Sequence, residues 1–321
     1  STGNETDWSV VNHLTLVDLG TVDTSKTAEV ELDIPDKTLG FTLVVDPEDT
    51  DKQVGIAEMS RAGGQNVVEN FDLPGRTEPQ FLGVHSAAAQ NPQSNLPDAM
   101  PIATGAWRAR LEAEQPVTDV RARLLVRRTS DGLFHGGAVD VAVRVAPGAV
   151  TEGYAQEVIS AVFDTYLSPQ VGLDPGDVTF EDLDAEYGSL DTYPKFREMV
   201  RTTAADPKLP KLNLFIVDEM PIFPEALAFA ASVPGTSLPG TSANAIAWVP
   251  NGSVDIDAIV LAHELGHLAG LFHVREFSGG NEDVLDDTLF GDTTNILRPA
   301  VSLSSTVFSP KQITVMQGSA L

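Results

Sequence analysis

Three of the six histidines in this chain lie between positions 263 and 273, in the run His263-Glu264-Leu265-Gly266-His267-Leu268-Ala269-Gly270-Leu271-Phe272-His273. On an α-helix of about 3.6 residues per turn, His263 and His267 project from one face, so their imidazoles can ligate one metal ion. Glu264 is turned by about 100° from His263, which sets its carboxylate beside the ion rather than on it and suits it to act as a general base. For His273 to supply a third nitrogen the helix must stop and reverse, and Gly270 is the residue type that accepts the left-handed backbone of such a stop. Three neutral imidazoles and a water describe a catalytic zinc site with an open position. Chance produces the full spacing in about one chain of this composition in a hundred thousand. The bland alternative is a buried helix that happens to contain three histidines.

This pattern, HExxHxxGxxH, resembles that of the metzincin clan of zinc metallopeptidases. In that family an irregular segment leads to a tight turn with a methionine beneath the metal. The matching place here is Thr294-Asn295-Ile296-Leu297-Arg298-Pro299, with Leu297 at the methionine position. Leu for Met is nearly volume-conserving and costs under ~1.5 kcal/mol, so the turn and the zinc site are expected to survive. Val274 differs from the Glu, Ser, Pro and Asp that follow the third histidine in astacins, matrixins, serralysins and adamalysins. The resemblance is nearest to secreted bacterial metzincins in which a Glu, an Asp-rich loop, the turn and a Ser-Pro-x-Gln segment follow. Glu276, Asp286-Asp287 and Ser309-Pro310-Lys311-Gln312 stand in those places. No tyrosine follows Tyr193, so the metal-directed tyrosine of some metzincins is absent.

The resemblance covers about residues 137–321. It implies hydrolysis of peptide bonds in a protein or peptide substrate by a zinc-activated water, with Glu264 as the base. It also implies an edge strand above the helix that pairs antiparallel with the substrate, for which Ala226 to Val233 is the candidate segment. The competing reading of that apolar run is plain core. Pro299-Ala300-Val301 would line the pocket for the side chain after the cut.

The elements that carry these residues follow from periodicity. A helix is expected from about Val254 to Ala269, with Ser253 as N-cap and Asp255 and Asp257 in its first turn. Strands are expected at Val139 to Val145, Leu212 to Val217 and Ala245 to Val249. A further helix is expected from Thr151 to Leu167, where Tyr154, Val158, Val162 and Tyr166 recur at helical spacing. Interleaved strands and helices imply an α/β or α+β domain over residues 137–321, after a hinge at Asp131-Gly132 and His135-Gly136-Gly137.

Residues 1–136 read differently. Ala28, Val30, Leu32 and Ile34 alternate with polar neighbours, and the pattern recurs at Phe41 to Val45, at Trp107, Ala109, Leu111 and Ala113, and at Val120, Ala122 and Leu124. Short alternating strands between turn-rich stretches imply an antiparallel β-sandwich, serving as an inhibitory prosegment, a binding module or a folding support. Arg108, Arg110, Arg121 and Arg123 are expected to pair across strands with carboxylates such as Glu29 and Glu31. His13, His85 and His135 are isolated and read as ordinary histidines.

Composition narrows the function classes. The 321 residues carry 46 Asp+Glu against 20 Lys+Arg, a formal net charge of -26, which argues against a nucleic-acid partner. Zero cysteine excludes disulfides, thiolate metal sites and a thiol nucleophile. No apolar run reaches the ~18 residues of a membrane-spanning helix, and a secreted or cell-surface location with any signal peptide removed is expected. No GxG spacing, Gly-Lys dipeptide or GxSxG occurs, which removes the Rossmann, P-loop and serine-hydrolase readings. The acidic stretch Gly279 to Asp287 could hold calcium, but it lacks EF-hand spacing and reads as a solvated loop. Asp46 to Asp51 reads as a turn. The expected function is thus a secreted zinc endopeptidase. The alternatives are a cell-surface binding or adhesion protein with a catalytically inactive zinc site, and a hydrolase of a non-peptide amide. Oligomeric state is left open.

Overall fold

The computed structural model describes residues 4–7, 13–26, 28–49, 51–61, 63–64, 66–68, 86–95, 102, 104–113, 115–202, 211–275, 283–289 and 291–321. In β3 (Glu29–Ile34), Val30, Leu32 and Ile34 are buried while Glu29, Glu31 and Asp33 face water, the alternation a strand shows when one face meets a core. It pairs antiparallel with β7 (Gly105–Ala113), which pairs in turn with β5 (Val54–Arg61). A second antiparallel sheet runs β1 (Asn4–Asp7), β2 (Leu14–Val22), β8 (Val120–Arg128), β4 (Thr38–Pro47), β6 (Ala87–Asn91). Leu32, Ile56, Met59 and Trp107 of the first sheet and Phe41, Leu43, Leu124 and Val126 of the second fall in one buried cluster. Phe41 meets Trp107 edge to face at 5.1 Å. On the polar faces Arg108 pairs with Glu29, Arg110 with Glu58, Arg121 with Asp18 and Arg123 with Asp46, so these cations are matched across strands.

The third sheet has the order β10 (Leu173–Asp182), β9 (Gly137–Val145), β11 (Leu212–Ile216), β13 (Ile246–Trp248), β12 (Ala228–Ala230). All neighbours are parallel except β12, which closes the edge antiparallel to β13. Every residue of β11 is buried, because both faces of the sheet are covered. Leu212, Leu214 and Ile216 face α1 (Glu152–Val162) and α3 (Val254–Leu268), through Val158, Ile159, Leu261 and Leu265. Phe215 and Val217 face α2 (Tyr193–Thr202), through Phe196, Met199 and Val200. A short helix, α4 (Pro310–Gly318), ends the chain. Antiparallel sheets, one mixed sheet and few helices make the fold α+β. No helix among the described residues is long and apolar enough to cross a membrane.

Several expectations need correction. The helix starting after Thr151 is α-helical only to Val162 and continues as a π-helix over Phe163–Val171, a stretch that contains Pro169. Proline lacks the N–H that regular α-helical winding uses, and its ring crowds the preceding turn. Ser253 stands at the N-cap of α3, but its side chain makes no capping bond. Asp257 instead accepts from the N–H groups of Asn251 and Gly252 and from the Tyr154 hydroxyl at 2.6 Å.

The amino-terminal sheets are bound tightly to the rest. Val44, Ala88 and Leu125 share a buried cluster with Leu238, Ala243 and Ala320. Arg127, fully buried, donates from Nε to the Ser319 carbonyl at 2.8 Å and from Nη2 to that of Leu321. A Cβ on Gly40 would overlap the Gly318 carbonyl, so the two backbones touch.

Candidate metal centre

From Asp257 to Leu268 every residue of α3 is buried, which places His263, Glu264 and His267 in the interior. The stop that follows is built from backbone. Gly270 has φ +93°, the Gly270 N–H donates to the His267 carbonyl (2.9 Å), and the Leu271 N–H donates to that of Gly266 (2.9 Å). These two bonds form the Schellman pattern that ends a helix with a left-handed residue. The reversal returns the Leu271 carbonyl to the helix, where it accepts from His267 Nδ1 at 2.7 Å. The reversed chain then brings in His273.

The three Nε2 atoms converge: His263 to His267 is 3.0 Å, and His273 lies 3.1 Å from each. Among the described residues this is the one group of three or more potential ligands close enough to hold a metal ion. His263 Nδ1 sits 2.7 Å from the Ile296 carbonyl. A carbonyl only accepts, so in both His263 and His267 the proton lies on Nδ1 and the Nε2 lone pair faces the other rings. Burial, then the neighbouring His263 and His273, hold His267 well below the ordinary imidazole range, in its neutral form. Lone pairs about 3 Å apart repel unless a cation lies among them.

Leu297 is fully buried beneath this helix. A Cβ on Gly266 would come 2.9 Å from Leu297 Cδ2, so the leucine sits against the turn between the two helical histidines. Asn295 Oδ1 accepts from the Leu297 N–H at 2.8 Å, and the Leu297 carbonyl accepts from the Val274 N–H at 3.0 Å. The same turn presents the Ile296 carbonyl to His263.

Glu264 is buried, and its Oε2 accepts from the Ala230 N–H of β12 at 2.6 Å. Desolvation pushes its carboxyl up to about 7, with the Ala230 bond and His273 opposing the shift. The apolar run at 226–233 therefore contains both core residues, Ala228, Phe229 and Ala230, and the antiparallel edge strand of the sheet.

Within the acidic stretch, Asp283 departs from the reading as a solvated loop, whereas Asp286 is exposed and pairs with Lys311. Gly279 to Glu282, like Glu276, lie outside the described residues. Asp283 is buried, accepts from the Leu285 N–H and from Gln312 Nε2, and donates its own N–H to the His273 carbonyl at 2.9 Å. Gln312 Oε1 accepts from Asn295 Nδ2 at 2.8 Å. A buried polar chain thus joins the His273 segment to the Leu297 turn. Asp287 accepts from Ser309 Oγ and the Lys311 N–H, at the first turn of α4. Asp49 accepts from the Asp51 N–H, as a turn does. His135 is exposed against Asp131, His13 lies apart from the triad, and His85 falls outside the described residues.

No protein-family model and no curated protein matches the chain. Among solved structures, metalloproteinase-II from Bacteroides fragilis is similar at 14% identity with a TM-score of 0.42. The match covers 63% of this chain and 63% of that one, so the chain spans less than two thirds of that protein's length.

Proposed function

We propose that the protein is a secreted zinc endopeptidase of the metzincin type. In this reading residues 1–136 form a β-sandwich module and residues 137–321 the catalytic unit. The observation that carries the reading is the convergence of three imidazole Nε2 atoms within 3.1 Å, with one buried carboxylate beside them on the same helix. A tetrahedral zinc with ligands at ~2.0–2.1 Å sets its nitrogens about 3.3–3.4 Å apart, so the donor set fits this ion with shifts of a few tenths of an ångström. All three donors are imidazoles, which suit zinc better than calcium or magnesium. When bound, zinc acts as a Lewis acid and lowers the pKa of its water.

The remaining steps belong to the chain. His263, His267 and His273 hold the ion, two of them fixed by carbonyls behind the rings. Glu264, with a carboxyl near 7, takes a proton from the attacking water and returns it to the leaving amine. Its Oε2 is tied to Ala230, which leaves Oε1 as the atom that moves the proton. The edge strand β12 offers backbone groups along which an extended peptide can align. Incubation of purified protein with casein or a peptide library, with and without chelator and beside Glu264→Ala, tests this. Chelator-sensitive cleavage lost in the variant is expected; equal inertness of both after removal of any propeptide would sink the reading.

A further inference from the structure

Resting on that reading of the metal centre, we propose that the stretch of the amino-terminal sheets from the end of β6 to Ser94 is part of the centre, with Gln90 in β6 and Ser94 just after it as positioning residues for the third histidine. Both side chains are fully buried. Ser94 makes three backbone-directed contacts that bracket His273. Its N–H donates to the Gly270 carbonyl (3.0 Å), its Oγ accepts from the Phe272 N–H (2.8 Å), and its carbonyl accepts from the Val284 N–H (2.9 Å). Its hydroxyl also bonds Asp283, whose N–H holds the His273 carbonyl. Gln90 Nε2 donates to the Ala269 carbonyl (2.9 Å) and lies where a Cβ on residue 270 would stand. The stop after α3, the turn to His273 and the Asp283–Val284 backbone that bonds the His273 carbonyl are all held by one stretch, 178 to 179 residues upstream of Phe272 and Ala269.

Two consequences follow. A segment that supplies bonds on both sides of a ligand cannot be discarded without loosening that ligand, so the amino-terminal sheets are a permanent part of the catalytic unit rather than a removable prosegment. The effect of losing those bonds must also appear in how the metal is held, beyond any general loss of stability.

The test uses the full chain loaded with zinc, and separately with cobalt. Ser94→Ala and Gln90→Leu are compared with Ser242→Ala. The control cuts the same interface away from the histidines, where Ser86 and Ser242 exchange N–H to Oγ bonds of 3.0 and 3.1 Å. Zinc release to a chromophoric chelator, the visible bands of the cobalt form and the Tm of each variant are measured. Ser94→Ala and Gln90→Leu are expected to speed zinc release about tenfold and to shift the cobalt bands. Ser242→Ala is expected to lower Tm while leaving release and bands unchanged. If Ser94→Ala does not fold, Gln90→Leu decides. Wild-type release rates in the folded variants, or equal acceleration by Ser242→Ala, would overturn the inference alone. A wild type that binds no zinc would overturn the proposed function as well.

Discussion

At the scale of residues, the site divides into side chains proposed to do chemistry and side chains that hold them. Leu297 tests the second kind. It is fully buried against Gly266 and its turn carries the Ile296 carbonyl that orients His263. Leu297→Ala is expected to cost about 2–5 kcal/mol by leaving a cavity, while Leu297→Met stays under ~1.5 kcal/mol, both read by denaturant unfolding. A Leu297→Met variant as damaged as the alanine would mean that the turn tolerates no methionine. The three converging histidines and Glu264 were legible because their types and spacing alone point to the proposed chemistry. Asp283, Asn295 and Ser94 were not, since short polar residues look like loop residues until distant segments meet them. Gln312 was visible only as the end of a Ser-Pro-x-Gln segment; its role depends on Asp283 and Asn295, which lie 29 and 17 positions away.

At the scale of elements, the helix stop is the part on which the position of His273 depends. Gly270 holds a left-handed backbone and abuts Gln90. Gly270→Ala is expected to lose about 1–2 kcal/mol from backbone strain alone and to weaken zinc retention with it. Thermal unfolding and metal content, measured on the same sample, check this; an unchanged pair would show that the stop does not depend on glycine. Helix α3 and strands β9, β11 and β13 were readable from apolar runs and periodicity. Strand β6, Ala-Ala-Ala-Gln-Asn, was not, because alanine favours helix and this strand is buried throughout, without alternation. The edge β10 was hidden by its exposed polar residues, and the three-residue β12 is too short to show a period.

At the scale of the whole molecule, two antiparallel sheets and a mixed sheet share buried surface, and Arg127 ties β8 to the end of the chain. Arg127→Met keeps the apolar stem but leaves the Ser319 and Leu321 carbonyls without this donor, and about 1.5–3 kcal/mol per lost bond is expected in chemical denaturation. A loss under ~0.5 kcal/mol would show that the tie contributes little. None of these long-range contacts could be read from local pattern. The net charge of -26 acts at the same scale. Acidic peptides are expected to be cut more slowly than basic ones at low salt, and the difference should shrink as salt screens the field. A cleavage profile indifferent to peptide charge at low salt would remove that expectation.

The most direct measurement compares zinc-loaded wild type with zinc-loaded Glu264→Gln on one peptide library, with the metal content of both determined beforehand. Both are expected to carry one zinc per chain, and the variant to cleave about 10²–10⁴-fold more slowly, since it keeps the ligands and loses only the base. Equal cleavage by the two proteins, or zinc absent from the wild type, would contradict the assignment of His263, His267, His273 and Glu264 as a hydrolytic metal centre.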